Sequence, residues 1–184
     1  MSKLIAAINM TLDGFCDHMA MSADDETHQH YTELIRNSGT LLYGRTTYQL
    51  MESYWPSIVE NPTGNKSTDD FAVAIDNAAK IVFSRTLKGV HWRNTELRGE
   101  VIKEDVEKLK QHSDRNILAG SPGLIVALAH HELIDEYQFC VHPVILGGGN
   151  PLFKNINDRI NLRLLDKKSF GCGAIILCYE PTGR

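Results

Sequence analysis

The hydrophobic and polar positions of the chain switch between two periods. "KLIAAIN" (Lys3 to Asn9) is an unbroken apolar run of strand length, as expected of a strand buried on both faces. Asp24 to Asn37 is polar overall but sets Tyr31, Leu34 and Ile35 at helical spacing. "TLLYG" reads as a second strand, and Thr46 to Ser53 as a helix in which Thr46 and Gln49 are spaced as a capping box. Pro56, Pro62 and Gly64 break up Tyr54 to Asp69, so most of that stretch reads as loop before a helix over Phe71 to Ala79. "KIVFS" is a strand and "VHWRNTEL" a weaker one. Ile102, Val106 and Leu109 form one helix face, and "NILAG" is a short strand. Ser121 has the place of an N-cap, with Pro122 at the first helical position of "GLIVALAHH". "EYQFCVHPVIL", "LRLLDKKSF" and "AIILCYE" then follow as strands with no helix between them. Alternation early and consecutive strands late predict an α/β fold of three layers. Its mostly parallel mixed sheet carries flanking helices and ends in an antiparallel edge. With no repeat, low-complexity tract or boundary in the pattern, residues 1–184 read as a single domain.

Three strand ends carry related chemistry. "TLLY" runs into Gly44-Arg45-Thr46-Thr47, "KIVF" into Ser84-Arg85-Thr86, and "NIL" into Ala119-Gly120-Ser121-Pro122-Gly123. In an open parallel sheet, ligands bind outside the carboxyl ends of the strands, where helix N-termini converge. A phosphate placed there meets free backbone N–H groups, the positive end of a helix dipole and any local Arg or hydroxyl. Each corner taken singly is better explained as punctuation, with Thr46 and Ser121 as caps, Gly44 and Gly120 as turn residues, and Arg45 and Arg85 as solvated charges. Three at successive strand ends suit a ligand with several phosphates, such as a dinucleotide. The Rossmann fingerprint is absent, because "NMTLDGF" follows the first strand. The third corner is tight enough that the peptide joining Ala119 to Gly120 is expected to be strained, with a cis bond as one solution.

Composition narrows the partners. Of 184 residues 42% are hydrophobic and 23% charged, an ordinary globular balance, and the net charge of -4 argues against a general nucleic-acid binder. Neither a membrane-length apolar run nor a signal-peptide pattern is present, so a cytoplasmic protein without a membrane partner is expected. Cys16, Cys140, Cys172 and Cys178 lack CxxC spacing and read as reduced cysteines of a core. His28 with His30, and His130 with His131, lack metal spacing with a carboxylate in register, so no metal is expected.

The motifs "MTLDGF", "LLYGRTTYQLMESYW", "IVFSRTL", "ILAGSPGL" and "LIDEYQFCVHPVILGGGNPLF", with the final strand pair, resemble the dihydrofolate reductase-like superfamily in its order along nearly the whole chain. The chain is most similar to stand-alone proteins related to the C-terminal reductase domain of bifunctional riboflavin-biosynthesis enzymes. That resemblance implies NADPH as hydride donor, a small heterocyclic substrate and a homodimer. It implies an activity similar to 5-amino-6-(5-phosphoribosylamino)uracil reductase. It places the 2'-phosphate of NADPH near Arg45, Ser84 and Arg85. The pyrophosphate would lie over the helix starting at Thr46 and Thr47, and over Gly120, Ser121 and the turn after them. The backbone of Ala7 would meet the nicotinamide carboxamide, and Ala119-Gly120 stands where these reductases often have Gly-Gly.

The departures bear on substrate. No Leu-Pro-Trp segment follows the first strand, and His28 stands where folate reductases have an acid, with Asp24, Asp25 and Glu26 close by in sequence. Folate reduction is not expected. Nor is deamination, since no deaminase zinc-ligand motif is present. Asp13 in "TLDG" is the candidate catalytic residue, orienting a substrate or stabilising its protonated form; an Asp-Gly turn explains it equally well. Phe15 and Met19 are placed to close over a nicotinamide, or simply to pack. A reductase on a pteridine- or pyrimidine-like heterocycle is therefore the first expectation. A nucleotide- or flavin-binding protein of the same fold, with little turnover, is the second.

Overall fold

The computed structural model describes residues 2–156 and 158–183. Along the chain come β1 (Leu4–Thr11), α1 (Asp25–Arg36), β2 (Ser38–Gly44), α2 (Arg45–Glu52), α3 (Trp55–Glu60), α4 (Lys66–Asn77) and β3 (Ala79–Phe83). They are followed by β4 (Thr95–Arg98), α5 (Lys103–His112), β5 (Asn116–Ala119), α6 (Pro122–His130), β6 (Glu136–His142), β7 (Asn161–Ser169) and β8 (Ile175–Thr182). The strands form one sheet in the order β4-β3-β2-β5-β1-β6-β8-β7. β4 to β6 in that order are mutually parallel, and β8 runs antiparallel to both its neighbours. This is the α/β architecture with an antiparallel end that the alternation predicts.

Successive strand residues face opposite sides, so the apolar runs supply two cores at once. Leu4, Ala6, Leu42, Ile117 and Ala119 face one side and pack with Val106 of α5 and Leu124, Ile125 and Leu128 of α6. Ile5, Leu41, Tyr43, Val82 and Leu118 face the other, against Ile35 of α1, Tyr48 of α2, Trp55 of α3, and Phe71 and Ile75 of α4. A smaller cluster of Cys140, Phe170, Ala174 and Ile176 closes the antiparallel end.

Several expectations are corrected. Tyr54 to Asp69 is largely helical. Pro56 sits in the first turn of α3, where its missing N–H costs nothing, and the side chain of Asn65 caps α4 by accepting from the Thr68 N–H at 3.0 Å. Helix α2 begins at Arg45 with Gly44 as its N-cap, so Thr46 is inside the first turn and makes no capping box. "VHWRNTEL" shrinks to the four residues of β4, and β6 stops at His142 before Pro143. The terminal strand "AIILCYE" is β8 and is paired on both sides, as its apolar character requires; the open edge is β7, every residue of which is exposed. Cys172 is exposed rather than part of a core. Among the described residues no peptide bond is cis, and the Ala119–Gly120 corner closes with ordinary trans geometry.

Candidate functional site

The register of the sheet brings the three corners together. Leu42 lies beside Ala119 on one flank and Ile81 on the other, and Ala6 also pairs with Ala119, so β1, β5, β2 and β3 end side by side. Outside these ends lies a cleft of about 1090 Å³. Its wall includes Ala7 of β1, then Gly44, Arg45, Thr46 and Thr47, then Ser84 and Arg85, then Ala119, Gly120, Ser121 and Gly123. Every cofactor residue expected from the sequence thus stands on one surface.

Two helices start here without side-chain caps. Gly44 has no side chain to offer α2, and the Ser121 hydroxyl makes no cap bond to α6. It accepts instead from the Gly44 N–H at 2.9 Å, tying the two helix starts together. The first N–H groups of both helices lack a side-chain acceptor, and the two dipoles add a positive field. A Cβ built on Gly120 would lie 3.5 Å from Tyr43 Cε1 and 3.7 Å from the Ala7 carbonyl, ordinary contacts. The fold itself therefore does not demand glycine at this place; a side chain there would extend the wall into the cleft. The β1–β5 ladder ends at Ala6 and Ala119, which leaves the Ala7 backbone beyond it on that flank.

At the second corner the Ser84 hydroxyl accepts from the N–H groups of Thr86 (3.2 Å) and Leu87 (3.0 Å). Arg45 reaches across to it, donating from Nη1 to Thr86 Oγ1 at 2.8 Å. Arg45 and Arg85 are both exposed, and among the described residues neither has a carboxylate within ion-pairing distance. Two unneutralised guanidinium groups at one rim suit a polyanion. Asp17 and Glu100 also line the cleft.

Inward from this rim the cleft becomes apolar, walled by Leu34, Ile35, Met51, Trp55, Phe71 and Ile75. His28 projects into this part, edge-on to Trp55 at 6.2 Å and against Phe71 at 5.7 Å. Burial lowers its pKa, so the imidazole is neutral at pH 7. Asn9 and Tyr31 line one side of the chamber, and His142 joins them; the sequence reading gave Asn9 and His142 no role and Tyr31 only a place on a helix face. Tyr31 OH donates to Asn9 Oδ1 at 3.3 Å, and His142 Nε2 lies 3.0 Å from the same oxygen. The only sequence signal for Asn9 was a polar residue inside an apolar strand.

Asp13 lies off the cleft wall. Its carboxylate accepts from Thr11 Oγ1 at 2.7 Å and from the N–H groups of Leu146 (3.1 Å) and Gly147 (2.7 Å). These bonds, led by that from Thr11, hold its pKa down at about 2. Phe15 bridges to Pro151 and Met19 projects into solvent, so neither covers the cleft. The α1 acids also turn away. Asp24 accepts from Thr27 and the Cys172 N–H, Asp25 from Ser67 and Asn65, and Glu26 from the Gly171 N–H.

Residues 2–176 match the RibD C-terminal domain family. Across 98% of its length the chain is 30% identical to the uncharacterized protein YyaP of Bacillus subtilis (strain 168), covering 96% of that protein. In three dimensions it is similar to a Shewanella sp. PV-4 protein assigned to riboflavin biosynthesis, with a TM-score of 0.72 and 18% identity over the whole of both chains. It is also similar to Enterococcus faecalis dihydrofolate reductase complexed with NADP(H), with a TM-score of 0.66, 12% identity, and coverage of 98% of this chain and 97% of that one. The chain belongs to the RibD C-terminal domain family and has the dihydrofolate reductase-like fold.

Proposed function

We propose that this protein is an NADPH-dependent reductase of a pteridine- or pyrimidine-like heterocycle, similar to 5-amino-6-(5-phosphoribosylamino)uracil reductase. One observation carries the proposal: two uncapped helix starts and two unpaired arginines share a rim that leads into an apolar chamber. The residues fit the cofactor. Arg45, Arg85 and Ser84 would hold its 2'-phosphate by charge-assisted bonds. The first turns of α2 and α6, with Thr46, Thr47, Gly120, Ser121 and Gly123, would receive the pyrophosphate, and the Ala7 backbone beside Ala119 the carboxamide. NADPH supplies a hydride when bound. The chain's part is to align the acceptor carbon, to exclude water with Leu34, Trp55 and Phe71, and to orient the heterocycle through the polar groups of the chamber. The proton that accompanies the hydride comes from a side chain or water, so no paired acid and base are needed for that work.

Asp13 is better placed to fasten the loop at Leu146 and Gly147 than to touch a substrate, since its oxygens are occupied and it stays ionised. The sheet takes strands from Leu4 to Thr182, which supports one domain over residues 1–184. We infer a homodimer from the open, leucine-bearing edge at β7. No helix of the described residues is long and apolar enough to cross a membrane, in keeping with a cytoplasmic setting. Loss of NADPH absorbance on mixing with pyrimidine and pteridine acceptors tests the proposal; binding without consumption would favour the low-turnover alternative.

A further inference from the structure

The geometry points to Asn9 as the residue that selects the substrate, by donating a hydrogen bond from its amide NH₂ to a ring carbonyl oxygen of the heterocycle. This rests on the reductase reading of the same cleft.

Asn9 is half-buried in β1 and lines the chamber. Its amide is not free to choose which end faces the ligand. Tyr31 OH donates to Oδ1 at 3.3 Å. His142 is nearly buried, and its Nε2 lies 3.0 Å from the same oxygen and 3.6 Å from Cys140 Sγ. Oδ1 cannot donate, so that contact is favourable only if Nε2 carries the proton. Burial lowers the His142 pKa and so leaves the ring a single N–H, which the contact with Oδ1 assigns to Nε2; burial also raises the Tyr31 pKa, keeping the phenol a donor. Two donors thus fix the oxygen away from the ligand. The Nδ2 group makes no hydrogen bond to any described residue and is not enclosed, so its two N–H groups are left for whatever enters.

A second observation concerns what the chamber lacks. A carboxylate aimed into it would recognise a heterocycle by its ring N–H and amino donors. The three acids at the start of α1 are instead bonded to Thr27, Ser67, Asn65, Cys172 and Gly171, and none lines the cleft; of the two acids that do line it, Asp17 and Glu100, Asp17 accepts from the Met19 N–H at 2.9 Å. Among the polar groups facing the chamber, Asn9 presents two N–H donors and the neutral His28 one. The preferred substrate face is therefore rich in acceptors, as in a pyrimidinedione, and not rich in amino groups. Asn9 is the recognition residue; Tyr31 and His142 are positioning residues that act through it.

The test exploits a substitution that preserves the positioning contacts. Asn9→Asp keeps an oxygen for Tyr31 and His142 and replaces the donor NH₂ with a charged acceptor oxygen. Calorimetry would measure 5,6-diaminouracil, which presents two carbonyl acceptors, against 2,4,5,6-tetraaminopyrimidine, which presents amino groups in their place. The wild type should prefer the dione by at least about tenfold, and Asn9→Asp should lose or reverse that preference. Tyr31→Phe should weaken the preference without reversing it, since the amide then gains freedom to turn. An equal preference in wild type and Asn9→Asp would overturn the assignment, as would a wild type that favours the tetraamine or binds neither compound. A parallel NADPH titration of the wild type separates the two levels. Absence of NADPH binding would count against the reductase reading, while the pyrimidine preference would still decide the role of Asn9.

Discussion

The Ser121 hydroxyl accepts a hydrogen bond from the backbone N–H of Gly44 at 2.9 Å, across 77 residues of sequence. Through it the third corner braces the first, and Ser121 is itself nearly fully buried. Ser121→Ala would remove the acceptor and leave the Gly44 N–H without its partner. A stability loss of about 1 kcal/mol is expected in urea denaturation, together with weaker NADPH binding. An unchanged denaturation midpoint with unchanged affinity would show that the two helix starts are held by other means.

Asp13 should act on stability at low pH. Its folded-state pKa of about 2 lies below the ordinary 3.8. The stabilisation is therefore complete above the ordinary value and is lost as pH falls through about 2. Asp13→Asn should be less stable than the wild type at pH 6, and the gap should close between pH 4 and pH 2. Chemical denaturation over that range checks this. A gap that widened on acidification would reverse the sign of the account.

The three strand-end corners were legible because their signals are local. A strand end, a glycine, a hydroxyl and an arginine within four residues carry the same meaning wherever the strand lies in the sheet. Asp13 was not legible in the same way. "TLDG" has a local turn reading, whereas its partners Leu146 and Gly147 lie 133 and 134 positions away. The pairing of Asn9 with His142 is equally remote; it depends on β1 and β6 lying parallel with Asn9 beside Cys140. Helix α3 was missed because Pro56 reads as a breaker in the chain but is harmless in a first turn. Which of the last two strands is outermost was not legible, because sequence order places β8 last while the sheet places β7 outermost.

Dihydrofolate should be a poor substrate. Asp24, Asp25 and Glu26 are bonded away from the cleft, and the chamber holds a neutral His28 where an acid would be needed. Steady-state turnover should fall well below the ordinary enzyme range of ~1 to ~1000 per second. A rate inside that range would contradict this reading of α1.

Assembly should depend on β7. Leu162, Leu164 and Leu165 are exposed on this open edge. An uncovered apolar edge is prone to pair with another strand. Light scattering should give about twice the chain mass of 20.6 kDa, and Leu164→Glu should shift the species toward the monomer. A wild-type monomer at micromolar concentration would remove the dimer from the account.

The central claim is that the rim built by Arg45, Ser84 and Arg85 holds the 2'-phosphate that distinguishes NADPH from NADH. Titration calorimetry of both cofactors with the wild type and with Arg45→Ala tests it most directly. Arg45 makes no ion pair within the described residues, so its removal should leave the fold intact and act on the cofactor alone. The wild type should favour NADPH, and Arg45→Ala should weaken NADPH about tenfold or more while changing NADH little. Equal affinities for the two cofactors in the wild type, or an equal loss of both in the variant, would contradict it.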